Sequence, residues 1–213
     1  MKSIFLNVLI ASALSAADFW QQKPPENWSP QECKKLISKS PWALDAPVTG
    51  NPPSTDKASA IGFNPSGSSG AGGTAMRTVS VRWESAEPLR AAVKRLNAPE
   101  LSAPDAAGFY VIHVSNLQVP GADDAAIAAE MKRTFDRLQS SAKLTRKGKP
   151  PIACAKVTGK LIGGPGLLFF FPKTGAPITA EDKEVQFETE LTTMDVKAKF
   201  NLKNMTFGNG LSL

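Results

Sequence analysis

The sequence predicts an α+β protein: a mixed, largely antiparallel sheet with two helices on one face, preceded by a signal peptide, a short N-terminal helix and a Gly/Pro/Ser-rich linker. Three observations carry this reading. Beyond Pro150-Pro151 the pattern is strand throughout, in segments of period-two or continuous apolar character. Between Val79 and Ala142 the apolar spacing switches back and forth between the strand and the helix period. The opening 17 residues, MKSIFLNVLIASALSAA, read as an address rather than as part of a fold. Lys2 gives a charged start, Ile4 to Leu14 a short apolar run, and Ser15, Ala16 and Ala17 the small residues that a signal peptidase needs. The run is well short of the roughly 18 residues that cross a bilayer. No Cys follows any plausible cut, so a lipid anchor is not expected. Export is expected, to a periplasmic or secreted fate, with cleavage near Ala16 or Ala17. The mature protein is expected to be soluble, with no transmembrane segment.

The elements follow in order. Residues 18–46 form a small helical clasp, in which Ser29-Pro30-Gln31-Glu32 fits a capping box with proline at the first helical position. Cys33, Leu36 and Ile37 share one face of that helix, and Pro41 stops it. So short a helix cannot stand alone and must dock, with Trp20, Trp28 and Trp42 as anchors and Ser40-Pro41-Trp42-Ala43 as an extended strap. Residues 47–75 hold six Gly, four Pro and five Ser, the composition of a flexible linker. Their Gly67–Gly73 run lacks the Lys and Ser/Thr of a phosphate loop.

Residues 76–213 form the main domain. Val79, Val81 and Trp83 alternate as a strand, and Leu89, Ala92, Val93 and Leu96 follow helical spacing. Phe109 to Val114 suits a central strand. Asp123 or Asp124 can cap a long helix with Ile127, Met131, Phe135, Leu138 and Ala142 on its apolar face. Strands follow over 152–158, 167–171, 184–191, 195–203 and around 207–213. Short connections at Thr192-Thr193 and Asn204 favour antiparallel neighbours, whereas the two strand-helix-strand units leave room for a parallel pair.

Charge is modest overall, at a formal +6, but uneven. Residues 132–160 carry nine Lys or Arg against Asp136 alone. Such a run can attract anionic envelope polymer, with Lys132, Arg133, Arg137, Arg146, Lys147 and Lys149 as candidate binding residues; a solvated helix face and loop is the simpler reading. Export makes nucleic acid an unexpected partner.

Catalytic chemistry is thinly supported. Cys33, Cys154 and the lone His113 form no spaced ligand pair, so no metal site is expected. In an exported protein the two cysteines could form a disulfide, Cys33 to Cys154; their apolar settings favour two buried thiols. His113 could act as a general base only with a nucleophile or an orienting carboxylate in reach, such as an acid from Glu181 to Glu190. Glu184, Glu188 and Glu190 share one strand face, at a separation that glycoside hydrolysis would tolerate. Pairing with Lys197, Lys199 and Lys203 across a hairpin explains them more simply. No cofactor and no catalytic residue is expected. Asn27-Trp28-Ser29 and Asn204-Met205-Thr206 match the glycosylation pattern, which matters only in a eukaryotic host.

Ser40-Pro41-Trp42-Ala43, Val81-Arg82-Trp83-Glu84-Ser85-Ala86, Phe171-Pro172-Lys173 and Ile178 to Phe187 (ITAEDKEVQF) together resemble a family of uncharacterised exported bacterial proteins. The resemblance implies a bacterial envelope setting and supplies no assigned activity, cofactor or catalytic residue. The absence of a catalytic constellation makes the expected function a non-enzymatic envelope protein that binds or scaffolds through its sheet and its N-terminal clasp, with an anionic envelope polymer or another envelope protein as partner. The alternatives are a hydrolase or ligand-processing enzyme around His113, and adhesion to anionic polymers through residues 132–160.

Overall fold

A computed structural model describes residues 18–50, 78–98, 106–116, 124–160, 166–175, 177–191 and 194–213. The expected signal segment, residues 51–75 of the expected linker, and the side chains of Ile127 and Met131 lie outside these. The chain begins with α1 (Phe19–Gln22), a 3-10 turn at Pro25–Asn27 and α2 (Pro30–Ser38). The capping box at α2 forms as its sequence dictates: the Glu32 N–H donates to Ser29 Oγ at 3.2 Å, and the Ser29 N–H donates to Glu32 Oε2 at 2.8 Å. Lys23 Nζ reaches Glu32 Oε1 at 2.6 Å and, with the Ser29 N–H, holds that carboxyl down at about 2. Cys33, Leu36 and Ile37 are the buried face.

The strands are β1 (Ala43–Gly50), β2 (Thr78–Trp83), β3 (Phe109–Ser115), β4 (Lys143–Arg146), β5 (Lys149–Ala153), β6 (Lys156–Lys160), β7 (Gly166–Pro172), β8 (Glu184–Leu191) and β9 (Met194–Asn201). They form one sheet in the order β5-β4-β8-β9-β1-β2-β3-β7-β6. α3 (Glu87–Arg95) separates β2 from β3, and α4 (Asp124–Ser141) precedes β4. A small hairpin, β10 (Thr206–Phe207) and β11 (Gly210–Leu211), ends the described chain.

The sheet is strongly curled. Four strands lie between β8 and β7 in the order, so a flat sheet would hold them about 24 Å apart. Yet Phe187 of β8 meets Phe169 and Phe171 of β7 edge-on, with ring centroids 5.2 and 6.1 Å apart. Trp83 of β2 likewise meets Phe200 of β9 at 5.1 Å. The concave side is thus an aromatic and aliphatic core, fully lined by Val81, Trp83, Ile112, Phe169, Phe171, Phe187 and Phe200. The curl also lets the chain step from one sheet edge to the other: the Cys154 N–H donates to Ala142 O, and the Ala155 N–H to Phe170 O.

Several sequence expectations change. Every described strand pair is antiparallel, including β2 with β3, so no parallel pair forms among them. α3 packs on α2 and the 25–27 turn, whereas α4 packs on β8 and β6, so they do not make the joint layer anticipated. The expected boundary at residues 46 and 47 falls inside a strand. β1 sits mid-sheet, with residues 43–47 paired to β2 and 48–50 to β9. Pro47, Thr49 and Gly50 disguised it as linker. β4 was hidden for a different reason: Lys143-Leu144-Thr145-Arg146 is short and half charged. The expected strand over 152–158 divides at Cys154-Ala155 into β5, an edge carrying Pro150 and Pro151, and β6.

The clasp docks through its tryptophans. Trp28 and Trp42 are completely buried and Trp20 nearly so. Trp42 Nε1 donates to Ser212 O at 2.8 Å, and Trp28 packs on Phe207 at 5.9 Å between centroids. Truncating Trp42 to alanine removes both the packing and this tie. The W42A variant is expected to lose about 3–5 kcal/mol in urea denaturation. Residues 18–46 should become readily cleaved in limited proteolysis; unchanged susceptibility would show that the clasp does not depend on Trp42.

Candidate functional site

The most concentrated chemistry lies on the convex side of the sheet. In β2, Val79, Val81 and Trp83 point to the core, so Ser80 and Arg82 face the other way. Register places Arg82 opposite His113 of β3, and Glu84 follows at the next outward position. All three are sealed: Arg82 is 6% exposed, Glu84 2% and His113 5%. Arg82 Nη2 lies 2.5 Å from His113 Nδ1 and 3.1 Å from Glu84 Oε2, and His113 Nδ1 lies 3.7 Å from the same carboxylate oxygen. A guanidinium can only donate, so Nδ1 is the acceptor and the imidazole in this contact is the Nε2–H tautomer.

Gly166, at the start of β7, makes room for the ring. Its φ is +118°, and a Cβ there would collide with His113 Nε2 and Val114 O. Burial pushes the Glu84 carboxyl up to about 7 against the pull of Arg82. Among the described residues Arg82 Nε meets no acceptor, and Glu84 Oε2 sits within ion-pair range but off the line of a hydrogen bond.

These are ingredients of general acid–base chemistry, but they are closed to a substrate. The acid beside His113 is Glu84, not one of Glu181 to Glu190. Of those acids, Glu184 and Glu188 do what a solvent face does, pairing with Lys199 at 3.2 Å and with Lys143 at 3.3 Å. Sequence reading missed the Arg82–Glu84 pair. Its signal was present as two charges two residues apart on one face of a strand otherwise marked by Val79, Val81 and Trp83.

The basic segment disperses. Lys132, Arg133 and Arg137 are exposed on α4, and Lys147 is exposed at the β4–β5 turn. Arg146 is a correction: it points inward, is 6% exposed, and donates to Pro177 O at 3.3 Å and Pro150 O at 3.2 Å. Its partner is Asp182, 4.0 Å away, which also takes Lys149 Nζ at 2.6 Å. Burial works to raise the Asp182 carboxyl, but Lys149 and the Thr179 N–H outweigh it and hold it below the ordinary range. Arg146 therefore serves an internal ion pair rather than a surface patch, Lys149 meets the same carboxylate from an exposed position, and Lys156 lies over the Phe170 ring at 5.6 Å. The described cations of this segment share a sequence neighbourhood but not one surface.

Cys33 and Cys154 are both buried free thiols, so the disulfide alternative does not form. Burial pushes the Cys154 thiol up to about 11 and raises Cys33 as well. Among the described residues no three His, Cys, Asp or Glu side chains cluster to hold a metal. No described helix is long and apolar enough to cross a membrane. Comparisons with family models, with curated proteins and with solved structures found no match.

Two outcomes follow from the buried groups. Glu84 stays protonated in the folded protein up to about pH 7 but ionises near 4.5 when unfolded. Its contribution to stability is therefore fully present below pH 4.5, declines as pH rises, and levels off above about 7; the decline is about 3 kcal/mol. Urea denaturation across pH 4.5–8 should show this slope, and E84Q should flatten it. For the thiols, alkylation under denaturing, non-reducing conditions should label both cysteines, and a reductant should leave the melting temperature unchanged.

Proposed function

We propose that this chain is an exported, non-enzymatic protein of the bacterial envelope, grouped by its motifs with other exported bacterial proteins, that binds or scaffolds an anionic envelope component. One observation carries the reading: the sole histidine and the carboxylate and guanidinium beside it are walled into the domain, at 2–6% exposure, where no substrate reaches them. What the protein presents instead is a rigid shell with exposed cations, including Lys132, Arg133 and Arg137 on α4. The export reading rests on residues 1–17, with cleavage near Ala17 leaving Asp18 at the start of the clasp.

The test has two parts. Protein expressed in a bacterial host with its leader should appear outside the cytoplasm with an N-terminus near Asp18, read by mass spectrometry. The purified protein should co-sediment with isolated peptidoglycan or lipopolysaccharide in a salt-sensitive way, and it should turn over no ester, amide or glycoside reporter. Turnover that disappears in both H113N and E84Q would establish the enzyme alternative in its place.

A further inference from the structure

One cleft collects positive charge from distant parts of the sequence. It lies where the clasp meets the end of β9, and its wall carries Lys35, Lys39 and Lys203 around Trp20 and Pro41, with Asp18 on the rim. Four lysines elsewhere have carboxylate partners: Lys23 with Glu32, Lys143 with Glu188, Lys149 with Asp182 and Lys199 with Glu184. Lys35, Lys39 and Lys203 have no ion pair among the described residues. Lys35 lies in the last turn of α2 and Lys39 is its C-terminal cap. The negative end of the helix dipole rewards cations in that position and accounts for these two. It does not account for Lys203, which arrives from the far end of the chain.

The cleft is also held in shape. The Lys203 N–H donates to Asn201 Oδ1 at 3.1 Å, and the adjacent Leu202 is buried and donates its N–H to Lys183 O at 2.9 Å. Gln21 Nε2 ties the clasp across to Thr206, reaching its Oγ1 at 3.1 Å and its carbonyl oxygen. Each lysine thus stands on a backbone held by local hydrogen bonds, and the Gln21 tie keeps the clasp against the segment that carries Lys203. Trp20 and Pro41 add an apolar floor.

We propose that this cleft binds an anionic group, a carboxylate or phosphate borne by an envelope polymer, with Lys35, Lys39 and Lys203 converging on it. The proposal deepens the envelope-binding reading above and rests on it. Isothermal titration of the purified protein at about 0.15 M salt, where surface charges more than about 8 Å apart are screened, separates a local site from general attraction. The probes are inorganic phosphate, trigalacturonate as a carboxylate and maltotriose as an uncharged control.

Binding of one anion and not maltotriose is expected, and which anion binds identifies the source of the charge. K39Q and K203Q should each weaken it on the order of tenfold, as expected for loss of one charge-assisted bond. K197Q on β9 should leave it unchanged, and all three variants, altered only at exposed positions, should melt with the wild type. Absence of anion binding by the wild type, retention of full affinity in K39Q and K203Q, or an equal loss in K197Q would overturn the cleft. Co-sedimentation with envelope polymer that survives K39Q/K203Q would also overturn it while leaving the broader reading in place. Loss of co-sedimentation by the wild type would instead remove the broader reading, whatever the titration shows.

Discussion

Phe187 seated between Phe169 and Phe171 is the contact on which the rest of the molecule depends. It joins strands that belong to opposite halves of the sheet, and it can form only if the sheet bends through its middle. β1 supplies that middle, pairing with β2 along one stretch and β9 along the next. Once bent, the concave side is filled by rings from β2, β3, β7, β8 and β9. A filled interior leaves binding to the outside of the shell, where loops, helix faces and the clasp meet.

The buried ion clusters belong to the same economy of space. Removing Arg82, Glu84 and His113 from water is costly, and their attraction for one another does not by itself make the fold more stable than an apolar cluster would. They oppose misregistration instead. A slip of one residue between β2 and β3 would turn Arg82 into the aromatic core and Trp83 out of it. Arg146 does similar work at the other end of the sheet, with two proline carbonyls as acceptors and Asp182 as counter-charge.

Much of the framework was legible from sequence because it is local. The Ser29 cap, the alternation in β2, β8 and β9 and the length of α4 each follow from residues within one turn or one strand. β1 and β4 were not legible, since their pairing partners, not their own propensities, make them strands. The same distinction governs the sites. The run of cations at 132–160 was conspicuous in sequence and is scattered in space, while Lys35, Lys39 and Lys203 were inconspicuous and are gathered. Glu84 went unnoticed beside His113 because they lie on neighbouring strands joined through α3, and only the register of β2 on β3 brings them to within 3.7 Å.

The two edges of the sheet are unequal among the described strands. β5 contributes Pro150 and Pro151, which have no N–H to offer an incoming strand, whereas β6 has a donor at each of its five positions. A second copy adding at β6 would meet the same edge of its partner, an isologous pairing related by a two-fold axis. That pairing uses up β6 on both copies and leaves only proline-blunted edges outward. Among the described strands, the β5 edge is therefore the poorer template for an incoming strand, because adjacent prolines interrupt its row of donors.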